Sequence, residues 1–146
     1  MHLPLLLLLR VAFAEAPFTL RAIPGASGAP GVDWAGLPAG TAELLLWAEA
    51  ADGAVWWTAW AILPGAGPLP AGARPAQAPP LQGLNASGGV GWAVPCGTPL
   101  TLHAWALGRR LGVPPLSPPP ELLARALPTR LAAASTALPP QPCAGP

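Results

Sequence analysis

The sequence predicts a mainly β protein with one or two short helices near its C-terminal end. Three apolar runs rich in Leu, Ile, Ala and Trp, at residues 43–49, 55–63 and 98–107, each end at a turn or loop. That pattern is typical of buried strands. Of the 146 residues, 52% are hydrophobic and 9% charged, so the chain is long and apolar enough to bury a core. The 17 Gly and 23 Pro then indicate many turns between short elements.

The first half of the chain contains four of the predicted strands. Residues 18–23 alternate apolar with polar or small side chains, and residues 32–34 form a short extended piece before the turn at 36–40. The run at 43–49 is almost continuously apolar, which predicts burial on both faces and a central position in a sheet. A loop at 50–54 joins it to the strand at 55–63.

The second half begins with a proline-rich segment, 64–84, in which we expect a polyproline-like surface loop and no regular element. A Gly/Pro-rich turn at 88–97 leads into the third strong strand. Its alternation predicts two faces, one with Leu100, Leu102, Ala104 and Ala106, the other with Thr101, His103, Trp105 and Leu107.

The C-terminal part contains one predicted helix and one segment that could be either helix or strand. Pro118–Pro120 followed by acidic Glu121 predicts a helix over 121–127, since proline and acidic side chains favour helix N-termini. Residues 131–138 are small and fit either a helix or a strand. A proline-rich tail follows at 139–146.

Charge and composition argue against several functions. The formal net charge is +1, and the one basic pair is Arg109-Arg110, so no nucleic-acid-binding surface is expected. Two cysteines are too few for a disulfide scaffold and lack metal-ligand spacing, so we expect neither metal nor cofactor. Serines 87, 117 and 135 lack a Gly-x-Ser-x-Gly context, and His103 has no neighbouring second histidine. No catalytic residue is predicted, and we do not expect an enzyme.

Residues 1–14 predict an export signal. A short Leu run is followed by Ala12-Phe13-Ala14, which fits cleavage before Glu15. The n-region has no Lys or Arg, and Arg10 interrupts the run, so a misassigned start or a hydrophobic first strand stays open. The run is too short to span a membrane. The expected location is periplasmic or secreted, with cytoplasmic as the alternative, and the mature chain would be one domain over 15–138.

Three segments together resemble the phosphatidylethanolamine-binding protein family, in particular its bacterial Raf-kinase-inhibitor-like branch. Residues 29–41 (Ala-Pro-Gly-Val-Asp-Trp-Ala-Gly-Leu-Pro-Ala-Gly-Thr) resemble the family's Ser-Pro-x-Leu-x-Trp-x-x-x-Pro-x-Gly-Thr segment. Trp56-Trp57-Thr58 running to Pro64 resembles its Trp-His-Trp strand, and 91–107 its later Gly-Tyr … Gly-x-His segment. The resemblance covers about residues 18–138. It implies a central antiparallel sheet packed on a smaller sheet.

The family resemblance also implies a surface pocket that binds a phosphate-like head group through an Asp, two His and aromatic side chains. At the matching positions this chain has a diverged set: Asp52, Trp56, Trp57, Thr58, Trp92, Pro95 and Thr98. Trp57 and Thr98 stand where the family has histidines. Losing each charge-assisted hydrogen bond would cost an anion roughly 1.5–3 kcal/mol. We therefore expect a non-catalytic protein whose ligand, if it binds one, is small and neutral or apolar.

Several alternatives stay open for this pocket. Trp57 either forms a pocket wall or fills the pocket as part of the core, and Asp52 either binds a ligand or caps a turn with Gly53. A different interpretation is a protein–protein interaction or inhibitor module that uses the proline-rich loop 64–84 to contact a protein partner. Cys96 aligns near the pocket, and in an exported protein it could pair with Cys143 in the tail. That bond would stabilise the fold by about 4 kcal/mol in the chain-entropy model.

Overall fold

The computed structural model describes residues 17–23, 25, 28–76 and 78–143; the predicted signal peptide at 1–14 lies outside them. In this part of the chain the elements are seven strands, one α-helix and one 3-10 helix. The strands are β1 (Thr19–Ile23), β2 (Gly31–Ala35), β3 (Glu43–Ala50), β4 (Val55–Ile62), β5 (Leu81–Gln82), β6 (Leu100–Leu107) and β7 (Arg130–Leu138). Helix α1 (Pro119–Ala126) continues into the 3-10 helix Leu127–Thr129.

The strands form two antiparallel sheets. The larger has the order β5-β4-β3-β6-β7, and β1 pairs with β2 in the smaller. Strand β3 is central, and its first six residues, 43–48, are buried, as its continuous hydrophobicity predicted. The predicted fold class, a central antiparallel sheet packed on a smaller one with a short C-terminal helix, is confirmed.

The first core lies between the two sheets. It is built from alternate residues of the central strands, including Leu44 and Leu46 from β3 and Leu102 and Ala104 from β6. Leu20 of β1 packs against it from the smaller sheet. The predicted face of β6 (Leu100, Leu102, Ala104 and Ala106) belongs to this core, because successive strand residues point to opposite faces.

The second core lies on the other face of the large sheet, under α1. Leu45, Trp60 and Leu107 contact this core from the strands, while Leu122 and Ala126 enter it from the helix. Spacing of four residues places Leu122 and Ala126 on one side of α1. The helix starts at Pro119, two residues before the predicted start at 121, because proline is compatible with the first helical turn.

Two assignments in the chain were decided by strand pairing. The expectation that 64–84 has no regular element is wrong at Leu81–Gln82, which pair with Ala59 and Trp60 of β4. A two-residue strand among prolines has no periodicity of its own, so only its partner identifies it. The open segment 131–138 is strand, since it pairs along its length with β6. In the described parts of the chain, no helix is long and apolar enough to cross a membrane.

Candidate functional site

Trp57, one of the predicted pocket residues, is a core residue. Its side chain is fully buried between the sheets, where bulky aromatic surface is most stabilising. The indole Nε1 donates to Gln82 Oε1 at 2.7 Å, which satisfies the buried polar atom. Of the two alternatives for Trp57, the structure places it in the core, hydrogen-bonded to β5.

Trp92 lies next to Trp57 and differs from it. The two rings meet edge to face with centroids 5.8 Å apart. Trp92 is half-buried, and its buried Nε1 has no hydrogen-bond partner among the described residues. The indole nitrogens of Trp47 and Trp60 are likewise buried without a partner among the described residues. An indole N–H in this state keeps its capacity to donate to an acceptor.

The loop before Trp92 holds that ring in place. Asn85 Nδ2 donates to the Gly91 carbonyl at 2.7 Å, and Gly91 N donates to the Gly83 carbonyl at 3.1 Å. Gly91 has a φ of 89°, and a Cβ there would lie 2.7 Å from Pro75 Cγ. Only glycine fits this position, so the approach of the loop to Pro75 depends on Gly91.

A small cavity of about 30 Å³ lies beside Trp92. Thr98, Val94 and Leu100 form further parts of its wall, and Leu138, Pro139 and Gln141 come from the C-terminal segment. The described lining has no Arg, His, Asp or Glu side chain. The polar side chains among the lining residues belong to Trp92, Thr98 and Gln141, all uncharged. The volume holds a water molecule and nothing much larger.

The C-terminal segment is attached to this site by a disulfide. Cys96 and Cys143 are bonded, with their Cα atoms 4.9 Å apart. Gly97 N donates to the Gln141 carbonyl at 2.7 Å, and Gln141 Nε2 donates to the Gly28 carbonyl at 3.3 Å. These bonds place residues 139–143 across one side of the cavity.

The other predicted pocket residues do not line this cavity. Asp52 is exposed in the β3–β4 loop, where its Oδ1 accepts from Ala54 N at 3.0 Å and so caps the turn. Trp56 packs at the margin of the first core, and Pro95 is exposed. Thr58 follows Trp57 and faces the opposite side of β4, since adjacent strand residues alternate. From the predicted set, the structure thus places Trp92 and Thr98 in the cavity wall, while Trp57 contacts the Trp92 ring and is not part of the lining.

The buried ionisable group in the described chain lies on the other face of the sheet. Glu43 is 3% exposed, and burial raises the pKa of its carboxyl above the ordinary 4.5. Hydrogen bonds from the Leu111 and Ala61 backbone and the charge of Arg110 offset part of that rise. Its Oε2 accepts from Leu111 N at 3.1 Å, which ties the loop after β6 to the start of β3.

Sequence reasoning missed two residues of this site. Gln82 sits in the proline-rich segment, and no local pattern marks it as the partner of a tryptophan 25 residues away. Gln141 lies in the tail, where the possible pairing of Cys143 with Cys96 was the one signal that this segment returns to the pocket.

Comparison with known proteins identifies the fold. No protein-family profile matches the chain, and no curated protein matches its sequence. A crystal structure from Chlamydia trachomatis, of a protein described as a phosphatidylethanolamine-binding protein homologue, superposes with a TM-score of 0.72. The two sequences are 22% identical, and the match covers 83% of this chain and 95% of the other. The chain therefore has the fold of that protein, and a fold alone leaves function to the site.

Proposed function

We propose that this protein is a non-catalytic member of the phosphatidylethanolamine-binding protein family, of the bacterial Raf-kinase-inhibitor-like branch, whose pocket binds a small uncharged ligand. The observation that carries the proposal is the wall of the cavity beside Trp92. Its described side chains are apolar except for one indole N–H, one hydroxyl and one amide. Such a wall recognises a ligand with an apolar body and a hydrogen-bond acceptor.

The same wall disfavours a phosphate-like ligand. An anion leaving water needs charge-assisted hydrogen bonds, each worth roughly 1.5–3 kcal/mol, or it loses more in desolvation than it gains. The positions where the family resemblance implies histidines hold Trp57, which already donates to Gln82, and Thr98. Neither group supplies a positive charge.

Ligand titrations followed by tryptophan fluorescence test this function. N-methylacetamide represents a small neutral acceptor, and inorganic phosphate and phosphoethanolamine represent the anionic class. We expect saturable binding of the neutral compound only, in at least one of the oxidised and reduced forms of the protein. Trp92→Phe should weaken it roughly fivefold to twelvefold, because one hydrogen bond contributes about 1–1.5 kcal/mol. Tighter binding of either phosphate compound than of the amide would overturn the proposal.

Export to an oxidising compartment belongs to the same proposal. Cys96 and Cys143 are both exposed and paired, and exposed disulfides persist in the periplasm or outside the cell. The mature protein is then expected to begin at Glu15. Mass spectrometry of the protein from its native cells tests this, and a full-length cytoplasmic product would exclude it.

A second candidate function is protein–protein interaction through the proline-rich loop 64–84. One observation favours it: Leu63, at the edge of this loop, is 42% exposed and borders a groove of about 190 Å³ with Pro68, Pro70 and Pro79. If this groove binds a partner, Leu63→Ser should abolish capture of that partner while Trp92→Phe leaves it unchanged. Equal capture by both variants would argue against this surface.

A further inference from the structure

The residues after β7 form a segment that we call the strap, Pro139–Cys143. Pro139 and Gln141 of the strap line the cavity beside Trp92, so the strap separates part of the cavity from solvent. With the strap in place, about 30 Å³ remains, which excludes ligands larger than water. A larger ligand reaches Thr98 inside this cavity only if a part of the wall moves. A separate open groove of about 460 Å³, which includes Arg74 and no residue of the strap, also borders Trp92.

Very little besides the disulfide holds the strap. Four of its five residues are exposed, and Gln141 is half-buried, so the strap buries little apolar surface. Its described hydrogen bonds are the one from Gly97 N to the Gln141 carbonyl and the one from Gln141 Nε2 to the Gly28 carbonyl. A segment with few buried contacts opens locally at low free-energy cost once a covalent restraint is removed.

We infer that the strap is a redox-controlled cover of the ligand cavity, held closed by the Cys96–Cys143 bond. This inference rests on the proposed ligand-binding function and assigns its regulation. Reduction frees the strap, and the opened site then admits an uncharged, largely apolar molecule to the Trp92 N–H and Thr98. Oxidation restores the closed form.

The chemistry requires a dithiol reductant that can reach the sulfur atoms. Both cysteines are exposed. One thiolate of the reductant attacks either sulfur, forming a mixed disulfide and releasing the other cysteine as a thiolate. The second thiol of the reductant then displaces the remaining cysteine. The reductant ends as a disulfide, and both cysteines become thiols after protonation.

Hydrogen exchange and dye uptake, measured on the oxidised and the dithiothreitol-reduced protein, test the inference. The exchange rate of the Gly97 amide shows whether the strap is attached, because this amide donates to the Gln141 carbonyl. The uncharged dye N-phenyl-1-naphthylamine reports the cavity. We expect reduction to accelerate Gly97 exchange at least tenfold and to allow dye uptake that the oxidised protein lacks. Unchanged exchange of the β3 amides verifies that the reduced protein stays folded.

Two variants separate the disulfide from other effects of reduction. Cys96→Ser with Cys143→Ser should behave like the reduced protein without any reductant. Pro142→Ala keeps the disulfide and changes an exposed residue of the strap outside the cavity lining, and it should stay closed to the dye.

Each contrary result has a distinct meaning. Gly97 exchange that does not change on reduction overturns the strap as a redox-controlled cover. Equal dye uptake by both forms also overturns it, while the ligand cavity stands. Faster Gly97 exchange with no dye and no neutral compound bound in either form supports release of the strap and overturns the proposed ligand function.

Discussion

The two faces of the five-stranded sheet are closed in different ways. The face toward β1 and β2 is covered by a second sheet, and its margin near Trp92 depends on loops and on the strap. The face toward α1 is covered by a helix whose Leu122 and Ala126 are fully buried. A helix covers a sheet face with its own side chains, whereas two sheets of unequal size leave a margin that irregular segments must fill.

Each face contains a buried polar side chain that forms a hydrogen bond. On the first face Trp57 donates to Gln82, but Trp92 at the margin has no acceptor among the described residues. On the second face Glu43 accepts from Leu111, so the buried carboxylate fixes a loop. Two buried indole nitrogens of the second face also have no partner among the described residues, so Trp92 is distinguished by its place on the wall of a cavity.

Truncation of Trp57 should have the largest effect on the first face. Trp57→Ala removes a fully buried indole, and such substitutions typically cost about 3–5 kcal/mol. Chemical denaturation followed by circular dichroism measures the loss. Leu127→Ala, at a side chain that is 53% exposed, is the control and should change stability by less than about 0.5 kcal/mol. A loss at Trp57 as small as the control would show that the pocket position is not part of the core.

Replacing each neighbouring tryptophan with phenylalanine should sharpen the distinction between them. Trp57→Phe leaves Gln82 Oε1 buried without its donor, whereas Trp92→Phe removes an N–H that has no acceptor in the described structure. We expect Trp57→Phe to cost about 1–3 kcal/mol more than Trp92→Phe, the penalty of one unsatisfied buried group. Denaturation midpoints of the two variants measure the difference. Equal losses of stability would mean that the two indole N–H groups contribute equally to the folded state.

The smallest expected effect concerns Glu43, which lies on the second face of the sheet. Its protonation should make the stability of the protein depend on pH. Because burial raises its pKa, the folded protein binds this proton more tightly than the unfolded chain. The stability that protonated Glu43 contributes is full below pH 4.5 and is lost as the pH rises through the folded-state pKa. The free energy of unfolding of the wild type should therefore increase relative to that of Glu43→Gln as the pH falls from 7 toward 4.5.

Denaturant titrations of the wild type and of Glu43→Gln at both pH values measure this change in the free energy of unfolding. Glu121→Gln, on the exposed side of α1, is the matched control for removing one negative charge. If the difference in free energy of unfolding between the wild type and Glu43→Gln stays constant with pH, the raised pKa of Glu43 is contradicted.

The sequence carried enough information for most of the sheet but for little of the site. Continuous apolar runs identify β3 and β4, because burial on both faces selects the same residue types wherever such a strand lies. Alternation identifies the two faces of β6, of which one is only partly buried. The run at 130–138 contains mostly Ala, Ser and Thr, which suit several conformations, so its pairing with β6 decides its structure. Trp92 and Thr98 were placed near a pocket by the family resemblance, and the cavity lining includes both.

The sequence by itself determined the strand composition of the core and the absence of a basic cluster, because both depend on residue type and local order. Only the tertiary structure decided the partners of Trp57 and Trp92 and the position of the strap. Those depend on contacts between residues far apart in the chain, such as Trp57 with Gln82 and Gly28 with Gln141, and no local pattern encodes them. The hydrogen bond to Gln82 fixes Trp57 in the core, whereas Trp92 is distinguished by its place beside a cavity.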